Sequence, residues 1–223
     1  MKIIAKIRND FKEKFGIPRQ SGIADKIESV IIFEPEYRVR EALRGIEGYS
    51  HLWIIWQFSE AQRDVWSPTV RPPRLGGNKR MGVFATRSPY RPNPIGLSSV
   101  RLLRLERSEE LGDVLVVSGA DLLDGTPIYD IKPYLAFSDS HPDAVCGFAD
   151  EVKDYSLRVE FPDELLLRIE EGKRESLITV LGGDPRPSYK PDGEHEYGMR
   201  FASYEISFKV CDGVLTVTKV DNA

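Results

Sequence analysis

Cysteine is nearly missing from this 223-residue chain. Cys146 and Cys211 are its only two, too few for a disulfide framework. Histidine is almost as scarce. His51, His141 and His195 lie far apart, and neither H-x-x-x-H nor C-x-x-C occurs, so a zinc site has no support. His51 in "YSHLWII" reads as a core-edge residue, and the other two sit in polar loops. No two glycines are spaced as G-x-G, which removes the dinucleotide-binding fingerprint. "GNKRMGV" has the glycine spacing of a P-loop, but Val83 stands where a lysine must reach the phosphates. There is no G-x-S-x-G elbow and no visible nucleophile–base pair, which argues against a hydrolase. The longest apolar run, near "LWIIW", is too short to span a bilayer. The charges of "MKIIAKIRNDF" recur too early for a signal peptide. Together these absences predict a cytosolic protein without a metal or a membrane anchor.

What is present is a chain with a full core. Hydrophobic residues make up 41 % of it, and its length suits one large domain or a domain with a small appendage. "IIAKI", "ESVIIFE" and "HLWIIWQF" read as strands, the last as a buried one. "MGVFA" and "LSSVRLLRL" are strand-like as well. Pro35 sits at a plausible helix start, and "EYRVREALRGI" carries apolar residues at Tyr37, Val39, Leu43 and Ile46. "DVLVVSGADLLDGTPIYDIKPYL" reads as strand, turn, strand around Asp124-Gly125. Many short strands with one early helix predict a mainly β fold, an antiparallel β-barrel or sandwich. Composition shifts after about residue 140. "SDSHPDAVCGFADEVKD" resembles a linker, "PDELLLRIEEGKRESLITVLGG" has helical spacing, and "FASYEISFKVCDGVLTVTKV" is two strands around Cys211-Asp212-Gly213. The expected division is therefore a β domain over 1–140 and a smaller α+β unit over 141–223.

Charge is uneven. The formal net charge is −4, yet residues 71–107 hold nine basic side chains against Glu106 alone, so that segment is +8 and the remainder −12. A positive surface on an acidic body fits a polyanion or a carboxylate ligand. Four polar loops rich in glycine and proline stand out: "GIPRQSG", "RPPRLGGNKRMG", "TRSPYRPNPIG" and "DLLDGTPIYDIKPY". Proline fixes φ and pre-orders a loop, while glycine lets backbone approach a ligand closely. Any one of them could be an ordinary turn. Four in one chain point to function carried on a rigid scaffold.

"KEKFGIPRQSG", "TVRPPRLGGNKRMGVFATRSPYRPNPIGLS", "DLLDGTPIYDIKPYL" and "DPRP" followed by "YGMR" resemble, in order and over nearly the whole chain, the motifs of the TrmO family, also called YaeB-like or VirR-like. The resemblance implies an S-adenosylmethionine-dependent tRNA methyltransferase that acts on N6 of the threonylcarbamoylated adenosine beside the anticodon. It implies a small β-barrel in place of a Rossmann sheet, and a homodimer. It assigns Pro18, Arg19, Gln20, Phe58, Ser59, Arg87, Leu97 and the loop Asp121, Leu122, Leu123 and Asp124 to the cofactor. Family members often carry histidine where this chain has Ser59, so no histidine role carries over there.

The residues have their own physics. Arg87 and Arg91 each offer a planar fork of donors to a carboxylate or phosphate. The family resemblance gives Arg87 to the cofactor. Arg91 is open between an RNA contact and a structural arginine that satisfies carbonyls. Asn93, held between Pro92 and Pro94, could accept the N–H of adenine N6 and localise its lone pair, or could be a turn residue. Asp121 and Asp124 are turn formers or partners for a cationic sulfonium. Asp130 and Tyr134 either meet the substrate amine or close the barrel. Arg186, Tyr189 and Arg200 combine charge and aromaticity in the manner of RNA contacts. The alternative to an enzyme is a non-catalytic RNA-binding barrel.

Overall fold

The computed structural model describes residues 1–60, 65–72, 75, 79–151, 153–186 and 193–223. Its strands are β1 (Ala5–Arg8), β2 (Glu28–Phe33), β3 (His51–Gln57), β4 (Thr69–Val70), β5 (Met81–Gly82), β6 (Ile95–Ser108), β7 (Gly112–Ser118), β8 (Pro127–Pro133), β9 (Arg158–Glu160), β10 (Gly193–Phe201), β11 (Tyr204–Cys211) and β12 (Val214–Asn222). Six of them pair antiparallel in the order β1-β2-β7-β6-β3-β8. β8 then returns to β1 through Ala5↔Ile128 and Lys6↔Pro127, which closes the ring of pairings. Every second residue of β3 points inward. Leu52, Ile54 and Trp56 are buried, whereas Trp53, Ile55 and Gln57 face outward, so "HLWIIWQF" is buried on one face only. Ala5, Ile7, Ile31, Val100, Leu115 and Leu122 complete this first core.

A second core lies in the C-terminal half. β10-β11-β12-β9 form a sheet, with β9 parallel to β12, and helix α3 packs against it. Two single-turn helices precede α3: α1 (Ala136–Asp139) and α2 (Asp163–Leu166). α3 (Glu171–Gly182) buries Ser176, Leu177, Val180 and Leu181, one stripe at helical spacing. The β11–β12 turn falls at Asp212-Gly213, both with positive φ (49° and 76°), the backbone that a two-residue hairpin requires. Phe11, Ala24 and Ile27 also belong to this core, so the loop between β1 and β2 is anchored in the C-terminal half.

Three sequence expectations change. The early helix is absent: residues 35–48 form three short 3-10 turns, with Val39 exposed and Gly45 at φ 88° interrupting them. Leu43 is buried and Tyr37 and Ile46 pack partly against the first core, but the extended backbone at Val39 (φ −110°, ψ 114°) and the left-handed one at Gly45 end each segment after one turn. "MGVFA" is a two-residue strand followed by a 3-10 turn. β7 and β8 do not form a hairpin, because β7 lies between β2 and β6 while β8 lies between β3 and β1. No helix among the described residues is long and apolar enough to cross a membrane.

Candidate functional site

The pairing register decides which loops meet. β1, β3 and β7 end at the rim where β2, β6 and β8 begin, because Arg8 pairs with Val30, Gln57 with Ile95 and Glu28 with Ser118. Residues 9–27, 58–94 and 119–126 therefore leave one end of the ring. The described parts of the first three glycine- and proline-rich stretches, and residues 121–126 of the fourth, share that end. The opposite end carries residues 1–4, the 34–50 turns, the 109–111 turn and the exit from β8.

At the shared rim a chain of hydrogen bonds runs from the core into the loops. Trp56 Nε1 donates to Ser98 Oγ at 2.9 Å, and Ser98 Oγ donates to Asp121 Oδ1 at 2.5 Å. Gly96 leaves the space for this arrangement. A Cβ there would lie 2.2–2.5 Å from the Trp56 ring, a contact no side chain could make. Phe58 stacks obliquely on Trp56 with centroids 4.2 Å apart, and its N–H donates to Pro94 O at 2.9 Å. Burial pushes the Asp121 carboxyl up from the ordinary aspartate range. Hydrogen bonds from Ser98 and from the Asp121 and Ser21 backbones, together with the Arg87 charge, act against that push. Arg87 Nη1 donates to Gln20 Oε1 at 2.5 Å, and Gly22 N–H donates to Gly119 O at 2.8 Å. The structure thus connects Phe58, through Trp56 and Ser98, with the half-buried Asp121 carboxylate, which feels the charge of Arg87, itself held by Gln20.

Other expected residues lie elsewhere or are already engaged. Leu122 is fully buried in the first core, and its carbonyl accepts from Asn9 Nδ2 at 2.8 Å, so it is a scaffold residue. Asp124 accepts from Asn9 N–H at 2.9 Å and pairs with Lys12 at 2.8 Å, which ties its loop to the first one. Leu123 closes that turn by accepting from Thr126 N–H at 3.1 Å. Ser59 is exposed at the end of β3. Pro18 and Arg19 line a hollow of about 180 Å³ with Lys14, Ile17, Val180 and Asp184. That volume is small for a drug-sized ligand. Arg19 Nη2 donates to the carbonyls of Asp184 (2.9 Å) and Arg186 (3.2 Å), so it clasps the C-terminal half to the rim loop.

Arg91 resolves toward its structural reading, because Nη1 donates to Thr86 O at 3.2 Å and to Ser88 O at 3.4 Å within its own loop. Asn93 is exposed at the rim, with its carbonyl accepting from Ile95 N–H at 2.8 Å. Leu97 and Asp130 flank Ile55 on the outer face of the ring, Leu97 57 % exposed and Asp130 paired with Lys132 at 3.0 Å. Tyr134 lies at the opposite rim, its N–H donating to His51 O at 3.0 Å. The length of β3, about 17 Å from Leu52 to Gln57, separates it from Asn93. Within one chain, Tyr134 and Asn93 do not share a site.

Arg186 is not a surface RNA contact. It is buried against Asp184, with Nε–Oδ1 at 2.9 Å and Nη2–Oδ2 at 3.1 Å, and Tyr155 Oη donates to the same carboxylate at 2.7 Å. Burial pushes the Asp184 carboxyl up, but the Arg186 and Tyr155 hydrogen bonds outweigh it and hold the group below its usual range. Tyr189 lies outside the described residues. Arg200 is exposed, with its backbone N–H donating to Glu13 Oε1 at 2.7 Å. Among the described residues, no three histidine, cysteine or acidic side chains gather as a metal site.

The sequence reading missed Ser98 and Trp56. The signal was there: Gly96, Ser98 and Val100 form the inward row of β6, and a serine in that row needs a polar partner.

The arrangement has counterparts. Residues 6–140 match the family model for the tRNA-methyltransferase O N-terminal domain, and residues 154–223 match that for the TrmO C-terminal domain. The tRNA (adenine(37)-N6)-methyltransferase of Escherichia coli (strain K12) is 41 % identical over 93 % of this chain and 94 % of its own length. The protein of the same name from Eikenella corrodens is 45 % identical over 77 % of this chain and 97 % of its own. A crystal structure of TrmO from Pseudomonas aeruginosa superposes with a TM-score of 0.76 at 34 % identity, covering 99 % of this chain and 97 % of that one. A closed ring of strands with its proline-rich loops gathered at one rim, matched along both halves to these families, makes this chain a member of the TrmO family.

Proposed function

We propose that the protein is an S-adenosylmethionine-dependent tRNA methyltransferase that acts on N6 of adenine 37, with threonylcarbamoyladenosine as the base it receives. The observation that carries the reading is the half-buried Asp121 carboxylate, linked through Ser98 to the Trp56 ring and within the field of Arg87, at the rim where the glycine- and proline-rich loops converge. The named activity of the E. coli and Eikenella relatives supports it.

The rim residues fit the cofactor chemically. Arg87 is the donor for a methionine carboxylate. Asp121 offers an anionic group and the partly buried Phe58 ring, backed by Trp56, a π surface to cationic groups. Gln20 orients Arg87 through its 2.5 Å hydrogen bond. S-adenosylmethionine supplies an electrophilic methyl group. The chain would supply position: Asn93 Oδ1, on a proline-stiffened loop, would accept the N–H of adenine N6 and turn its lone pair toward that methyl. No strong base is needed: as the N6–CH3 bond forms and the S–CH3 bond breaks, S-adenosylhomocysteine would leave as a neutral thioether, and the acidified N6 proton would pass to water at the open rim beside Asn93.

We read residues 1–140 as a catalytic β-barrel and 141–223 as the unit that braces it and meets tRNA. The protein functions as a homodimer. Exposed Leu97, paired across to Ile55, and exposed Leu103, farther along β6 beyond Arg101, place apolar side chains on the outer face for a second copy. Leu97, Asp130 and Tyr134 join the chemistry only across that boundary. A non-catalytic RNA module leaves the buried carboxylate without a purpose.

The test is mass spectrometry of nucleosides from tRNA incubated with the protein and methyl-labelled cofactor. Label on the threonylcarbamoyl-adenosine peak supports the reading; tRNA that stays unlabelled defeats it.

A further inference from the structure

The candidate site makes no use of the short ribbon formed by β4 and β5. Thr69 pairs with Gly82 and Val70 with Met81, and Val83 N–H donates to Pro68 O at 2.9 Å, which fastens the ribbon at its base. Trp66 enters this base and Phe84 leaves it. Their rings stack with centroids 6.2 Å apart at 29°, yet they are 48 % and 73 % exposed. Two large rings held together in water form an unpartnered apolar ledge.

The surroundings say what covers it. Residues 65–105 contain eight lysines and arginines and no aspartate or glutamate. Arg71, Lys79 and Arg80 are exposed, and among the described residues none of them forms an ion pair; Arg80 donates to Thr69 Oγ1 at 3.1 Å. An aromatic platform beside cations with no interspersed acid suits single-stranded nucleic acid, which presents base faces and phosphates together. Phe84 leads within three residues to Arg87, so the ledge adjoins the rim.

We propose that the β4–β5 ribbon is a single-stranded RNA contact, in which an unstacked base lies on the Trp66–Phe84 ledge while phosphates lie against Arg71, Lys79 and Arg80. The proposal rests on the reading that the substrate is tRNA. A base drawn into a catalytic pocket leaves a neighbour without its stacking partner, and the ledge replaces that partner.

The test is fluorescence anisotropy with a synthetic anticodon stem-loop RNA carrying adenine at position 37, at several salt concentrations. The double variant Trp66→Ala/Phe84→Ala loses about ten- to a hundredfold in RNA affinity at unchanged salt slope, as stacking on one base implies. Trp66→Phe keeps most of the affinity. Lys79→Ala/Arg80→Ala flattens the slope by about 0.7 per charge removed. Cofactor affinity by calorimetry and the sedimentation coefficient stay at wild-type values in all of these variants. Wild-type RNA affinity in the double alanine variant overturns the proposal, as does a change in its oligomeric state, which would assign the ledge to a second copy. A wild-type protein that takes the cofactor but not the RNA overturns the tRNA reading and this proposal together.

Discussion

At the residue scale, Asp121 and Arg87 carry most of the account. Asp121 is held above the ordinary aspartate range mainly by burial, so its ionised form costs the folded state stability. The sign follows from linkage: its contribution to stability is full below the unfolded aspartate pKa and is lost as pH rises through the higher folded value. Asp121→Asn is therefore expected to melt higher than wild type at neutral pH, with the difference vanishing in acid, and to bind S-adenosylmethionine more weakly. Thermal melts across pH, paired with calorimetry, check both parts; a lower melting point at neutral pH contradicts the burial argument. Arg87→Ala removes a charge-assisted contact of about 1.5–3 kcal/mol, roughly a ten- to hundredfold loss of cofactor affinity. Unchanged affinity by calorimetry takes Arg87 out of the site. Gly96→Ala drives a methyl into Trp56, whose Nε1 is fixed on Ser98. Overpacking of this kind costs about 1–3 kcal/mol in a denaturant titration.

At the element scale, the loop between β1 and β2 is the hinge of the argument. Its apolar residues Phe11, Ala24 and Ile27 sit in the C-terminal core, its Lys26 pairs with Glu175 of α3, and its Gln20 and Ser21 face the rim. Arg19 binds the carbonyls of a turn that the buried Asp184–Arg186 pair holds in shape, with Asp184 at φ 53°. Arg186→Met strands the Asp184 carboxylate and is expected to destabilise the fold by about 3–5 kcal/mol, read as a fall in the urea midpoint. Cofactor affinity should fall with it under native conditions, because the loop that presents Gln20 loses its clasp. A fall in stability with unchanged affinity would mean that the C-terminal half does not brace the rim.

Much of this was legible in the sequence, and the failures have physical causes. Strand positions followed from alternation, and the Asp212-Gly213 turn from its dipeptide. The loops were recognisable from proline and glycine. The side-chain roles were less legible. Arg91 and Arg186 look like surface cations in any linear reading, because the carbonyls and the carboxylate that claim them lie within two to five residues and are revealed only by the fold of the loop. The helix expected after Pro35 fails because periodicity does not reveal the non-helical backbone at Val39 and Gly45, although Tyr37, Leu43 and Ile46 do face the first core. Tyr134 sits near Asp130 in sequence, yet one strand length parts it from the loops it was grouped with.

At the scale of the whole molecule, the proposed reading makes one end of the closed strand ring chemical and the other structural, and gives the outer face of β6 and β3 to a second copy. Leu103→Asp places a charge on that face outside the rim. In sedimentation velocity the variant is expected to run as a monomer where the wild type runs as a dimer. A wild-type monomer removes the dimer from the account.

The division between the two ends is the central claim, and hydrogen–deuterium exchange with and without S-adenosylmethionine tests it most directly. The account predicts slowed exchange at residues 16–22, 86–97 and 119–125, with residues 34–50 and 109–111 unchanged. Protection confined to the 34–50 and 109–111 turns, or no protection at a saturating cofactor concentration, would contradict it.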